Sequence, residues 1–189
     1  MNDLWNYFYE YILISYPRLL WVFLFACIIY LLFQVFSKKR SKKDIVFRAM
    51  LSMACSFVFV MTLFKRGHNG TSVCLRPFWS YLGAYKYDIT ELWLQIIMNI
   101  AMYIPIGFAL PGYFHPLKKL MKTVLLVFVV SATTEMIQGA FQIGQVDIDD
   151  VLNNIIGTLI GFGLYHLCEK CIAKFVKEKS SERESEKTY

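Results

Sequence analysis

Residues 123–141, TVLLVFVVSATTEMIQGAF, decide the class of fold. The run carries one formal charge, Glu135, and is long enough to cross a hydrocarbon core, which takes about 20 mostly apolar residues in a helix. Working outward, four more such runs appear. Leu19–Ser37 lies between Arg18 and Lys38, and Ala49–Phe64 is short unless 45–48 extend it, with Arg48 snorkelling to the interface. A third lies within the uncharged stretch Leu92–Leu117 and ends near Pro111; the last is Val151–Cys168. Composition agrees: 57% of the 189 residues are hydrophobic and 18% charged, too apolar a balance for one water-soluble globule of this size. The expectation is an all-α polytopic membrane protein with five transmembrane helices over 17–168, and a charged tail over 169–189, partly disordered.

The net charge of +6 would suit nucleic acid if the basic residues formed one face. Instead they cluster between the spans. The segment Ser37-Lys-Lys-Arg-Ser-Lys-Lys43 with Arg48, the trio Lys118, Lys119 and Lys122, and the tail together hold 15 of the 20 Lys and Arg residues. Basic residues concentrate on the cytoplasmic side, which places the C-terminus inside, the N-terminus outside and no nucleic acid among the partners. Residues 1–16 hold no Lys or Arg but include Trp5, Tyr7, Phe8, Tyr9, Tyr11 and Tyr16, the composition of an interfacial helix with its rings at headgroup level.

Ionisable groups at membrane depth cost about 2.5–3.5 kcal/mol each on insertion scales and therefore need a reason. With this orientation Asn99, Glu135, Gln138 and Asn154 fall in the outer half of their spans, beside Asp147 and Asp150. The long connection 65–90 delivers Arg76 to the same side as a counter-ion. Arg76, Asn99, Glu135, Gln138, Asp147, Asp150 and Asn154 thus define a mostly acidic pocket open to the outside, able to take an amphiphile with membrane lipid as its neighbour. The structural alternatives are an N-terminal cap on the last helix from Asp149 or Asp150, hydrogen-bond glue from the amides, and a buried Glu135–Arg76 pair. Gly157 and Gly161 form a small-xxx-small pair for close helix packing, within the chain or in an oligomer. No cofactor is expected: the acids lack the fixed spacing of a calcium loop, which leaves Mg²⁺ or Ca²⁺ as a minor alternative, and the lone Cys168-x-x-Cys171 lacks the second pair a zinc site needs.

Asn99 followed by Tyr103-Ile-Pro-Ile-Gly-Phe-Ala-Leu-Pro111, then Glu135-Met-Ile-Gln138, then Asp147-Ile-Asp-Asp-Val-Leu-Asn-Asn154-Ile-Ile-Gly157 resembles, in order and spacing, the VanZ-like family. The likeness covers 76–164 and includes Arg76-Pro-Phe78. It implies a multi-pass membrane protein of the Gram-positive cell envelope contributing to resistance to the glycopeptide antibiotic teicoplanin, but not by what mechanism; the first reading is a non-enzymatic protein that binds teicoplanin itself or a lipid-linked wall precursor. One departure is that Ile143-Gly-Gln-Val146 stands where many members have an arginine. Two other classes remain open. One is a membrane enzyme on a lipid headgroup, with Glu135 or Asp150 as general base, Arg76 on an anionic oxygen, and Asn99 and Asn154 orienting substrate. The other is a transporter built around the broken third span.

Overall fold

The computed structural model describes residues 20–35, 41–64 and 72–186, with side chains to 180. Helices dominate: α1 (Leu20–Val35), α2 (Lys42–Thr62), α3 (Trp79–Tyr87), α4 (Thr90–Tyr113), α5 (Leu120–Ala140) and α6 (Ile148–Glu186), with a 3₁₀ turn at His115–Lys118. Four of them, α2, α4, α5 and α6, are long and apolar enough to cross a membrane; the described part of α1 is apolar and 16 residues long. The chain is therefore a multi-pass helical membrane protein. The expected interfacial helix at 1–16 lies outside the described residues.

The chain alternates direction through α4, α5 and α6, so α4 and α6 run parallel, and their contact is the tightest in the bundle. Glycine makes it possible. A Cβ at Gly157 would stand 2.1 Å from the Ile100 carbonyl oxygen, one at Gly161 2.0 Å from that of Ile104, and one at Gly107 2.2 Å from that of Thr158. Both members of the small-xxx-small pair thus pack on α4 of the same chain. Pro105 and Pro111 lie inside α4, which continues as helix through both. A proline lacks the N–H that would bond four residues back, a loss that surrounding helices make tolerable in a membrane bundle.

At the basic end the structure corrects one expectation. Helix α2 begins at Lys42, which sets Arg48 about 9 Å along the helix. Its side chain does not snorkel: it is 1% exposed, donates to the Gln34 side chain of α1, and lies 5.8 Å from the ring centres of both Tyr30 and Tyr113. Two π faces and an amide carbonyl give the guanidinium a polar niche inside the bundle. Aromatic contacts extend this joint, with Phe33 5.5 Å from Tyr113 and Phe25 5.1 Å from Phe59. Helix α6 also runs well past Cys168, to Glu186, and Lys118 bonds Glu169 on it at 2.5 Å.

At the opposite end two short strands, β1 (Val73–Cys74) and β2 (Val146–Asp147), pair in parallel with Val73 opposite Val146. This bridge, absent from an all-α expectation, draws the loop before α3 against the loop before α6.

Candidate functional site

The acids are held at the β1–β2 end, each by a different partner. Asp147 precedes α6 and accepts the Asp149 amide on Oδ1 at 2.9 Å, the N-cap bond that satisfies one of the free donors of the first turn. The cap expected from Asp149 or Asp150 thus comes from Asp147, because the helix starts at Ile148. Asp149 caps a different helix. Its oxygens accept the amides of Phe78 and Ser80, at 2.6 and 2.8 Å, at the start of α3. Phe78 has φ of 63°, a left-handed conformation that costs a non-glycine residue roughly 1–2 kcal/mol, and the buried carboxylate fixes it there. The Ser80 hydroxyl donates to the second oxygen of Asp147 at 3.0 Å, and the Asp147 amide donates to Glu135 of α5 at 2.9 Å. Glu135, Asp147 and Asp149 therefore form a buried ladder tying α5, β2, α6 and α3 together. Gln138, one turn from Glu135, ties α5 to α2 by donating to the Thr62 carbonyl at 3.0 Å.

Asp150 is different. It faces α4 half-buried, where Asn99 donates to it at 2.6 Å and Gln95, one turn away and exposed, donates at 3.1 Å. Beneath it lie buried amides with atoms left over. Asn153 accepts from the Tyr81 hydroxyl, and Asn154 donates to the Ser131 hydroxyl at 2.7 Å. Asn153 Nδ2 and Asn154 Oδ1 have no hydrogen-bond partner among the described residues. Burial, and then the Asp149 carboxylate, raise the Tyr81 phenol above its ordinary range, which keeps it a donor. Tyr103, buried on α4, lies beside Ser131.

Of the seven residues read from the sequence, Asn99, Asp150 and Asn154 gather on the α4–α6 seam, whereas Glu135, Gln138 and Asp147 bond to backbone amides, carbonyls or hydroxyls around it. Arg76 stands apart. Its side chain is exposed and forms no ion pair with these acids, so the Glu135–Arg76 pair does not exist here. Gln95, Tyr81, Ser131 and Asn153 were missing from the sequence-derived set. Gln95 was findable, being four residues before Asn99 and so on its helical face. Tyr81 was not, because only the fold of α3 brings it to α6. Among the described residues no three His, Cys, Asp or Glu side chains gather as metal ligands.

A bundle of apolar helices with a polar seam buried at one end defines a multi-pass membrane protein with a candidate binding site between α4 and α6. The chain belongs to the VanZ/LLP1 family, whose model matches residues 19–169, a longer stretch than the motifs alone span. It is similar to Protein VanZ of Enterococcus faecium, with 32% identity over 126 residues that cover 67% of this chain and 77% of that protein. No solved structure matches it.

Proposed function

We propose that this chain binds an amphiphilic envelope molecule at the Gln95–Asn99–Asp150 face, on the outer side of the membrane, and through it contributes to resistance against teicoplanin-type glycopeptides. The observation that carries the binding site is a pair of buried amide atoms, Asn153 Nδ2 and Asn154 Oδ1, without a partner among the described residues and close to a half-buried carboxylate that accepts from two carboxamides. Each such atom costs about 1–3 kcal/mol in the interior, so a purely structural seam would have paired or replaced them. A donor and an acceptor left over beside Asp150 suit a polar head with hydroxyl or amide groups. The outer placement follows from the basic residues at the opposite end of the bundle. Aromatic side chains on α3, Tyr85 and Tyr87 among them, stand exposed at the same end, where headgroups and sugar rings would lie.

The test is antibiotic susceptibility in a sensitive Gram-positive host, comparing empty vector, wild type, Asp150→Asn and Glu135→Gln at matched membrane levels, with teicoplanin and vancomycin side by side. Protection against teicoplanin that Asp150→Asn weakens is the expected result. Complete loss in both carboxamide variants at wild-type stability moves the assignment to acid/base catalysis, since an amide cannot carry the proton. Correct insertion without protection against teicoplanin overturns the resistance role.

A further inference from the structure

A groove of about 500 Å³ opens on the side of the bundle between α2 and α4, lined by Met50, Met53 and Phe57 on one wall and Met98, Met102 and Pro105 on the other. Its lining is almost wholly apolar, and both walls are membrane-spanning helices. Exposed Ala101 and Met53 leave it open sideways to the hydrocarbon. What enters such a groove from that side is a hydrocarbon chain, because neither water nor a polar group is available at that depth. Four methionines on its walls adapt to the irregular cross-section of a flexible chain.

The α4 wall of the groove leads toward the polar seam. Gln95, Met98, Met102 and Pro105 follow one another at steps of three, four and three residues, so they share one face of α4. One turn beyond the last methionine, that face presents Gln95, which bonds Asp150. From Met98 to Pro105 the apolar part runs about 10 Å, a third of the hydrocarbon thickness, and its lining ends at Met98, one turn from Gln95. From this alignment along α4 we infer that the α2–α4 groove is the acyl-chain subsite of the amphiphile site, holding the first part of the chain while the head contacts Gln95, Asn99 and Asp150. The inference rests on the amphiphile reading above and adds where the chain lies.

The experiment uses the full chain, purified in detergent, and N-palmitoyl glucosamine carrying a mid-chain diazirine, a neutral hydroxyl-rich head on a long chain. Photolabelling followed by peptide mapping reads the saturable fraction of label. Saturable label is expected on the peptides containing Met50, Met53, Met98 and Met102. Unlabelled N-palmitoyl glucosamine competes, and N-acetyl glucosamine does not. Ala101→Trp fills the groove from α4 and Met50→Trp from α2, so the test survives if either variant misfolds. Each lowers saturable labelling about ten-fold, the equivalent of about two methylenes lost from burial. Saturable label spread evenly over the lipid-facing side of α5, or undiminished in folded Trp variants, overturns the subsite. Asp150→Asn separates the two claims: groove labelling that ignores it removes the head assignment and leaves the chain subsite standing, whereas Trp variants that keep binding remove the subsite alone.

Discussion

Gly161→Ala tests the packing that places the site, and Gly163→Ala is its control two residues away. At Gly161 the new methyl would sit 2.0 Å from the Ile104 carbonyl oxygen and 2.8 Å from the Phe108 nitrogen. A carbon approaches a carbonyl oxygen no closer than about 3.3 Å, so α4 and α6 must part by roughly 1.3 Å. Both contacting groups are backbone, so neither can rotate aside. Overpacking of this kind costs about 1–3 kcal/mol, more than the roughly 1 kcal/mol that alanine gains over glycine in a helix. Net of that gain the cost is about 1 kcal/mol, which for a chain of this length lowers the melting temperature by about 3 °C. At Gly163 a methyl meets nothing within 4 Å, so only the helix-propensity term acts and the variant matches or slightly exceeds wild type. Gel filtration of detergent-solubilised protein after a heating series reads both. Because Asn99 and Asp150 ride on the same two helices, Gly161→Ala also weakens ligand labelling. A Gly161→Ala protein that melts with wild type, or a Gly163→Ala protein that falls as far, refutes the seam.

Gly157→Ala meets the Ile100 carbonyl at 2.1 Å, so one parting of the helices relieves both clashes, and the double variant with Gly161→Ala should lose less than the sum of the two singles in the same heating series. Asp149→Ala strands the buried amide of Ser80, at about 1–3 kcal/mol, along with the part-buried amide of Phe78, and should release α3; limited proteolysis in 72–90 should accelerate, and unchanged cleavage would contradict the capping role. Arg48→Lys keeps the charge but loses the planar guanidinium between Tyr30 and Tyr113, so it should melt several degrees lower, and a protein as stable as wild type would show that charge alone suffices. The raised Tyr81 pKa means the folded state holds that proton more tightly than the unfolded one, whose value is about 10. Its contribution is complete below that pH and is lost as pH rises through the folded value; Tyr81→Phe, which has no proton to lose, should flatten the alkaline fall in melting temperature.

The spans were legible because the signal is a length of uncharged apolar residues, which the bilayer itself sets. α5 illustrates this: the 123–141 run appears as Leu120–Ala140. Boundaries failed where a charge is buried instead of exposed. Stopping the second span at Ala49 assumes that Arg48 needs water, yet Gln34, Tyr30 and Tyr113 supply a substitute that no local pattern in α2 announces. The α4–α6 pairing was half legible, since Gly157 and Gly161 mark a close approach without saying which helix approaches. Asn99 and Asp150 each stand out in the sequence as polar residues of the outer half, but their contact requires α4 and α6 to be parallel neighbours.

The site was harder to read than the fold because carboxylates in a membrane protein have two uses that look alike in sequence. Asp147, Asp149 and Asp150 lie within four residues, and a cluster of acids invites a catalytic or cation-binding account. The structure divides them by direction. At α6 successive side chains point about 100° apart, so Asp149 reaches α3 while Asp150 reaches α4, and Asp147, ahead of the helix, turns back to cap it. An acid that accepts buried backbone N–H bonds stabilises a local fold and has its acceptor sites filled. Asp150, on a half-buried face, accepts from the carboxamides of Gln95 and Asn99, side-chain donors that can turn when something else arrives. That difference, more than the charge the three share, is why substitution at Asp149 should be felt first in stability and at Asp150 first in binding.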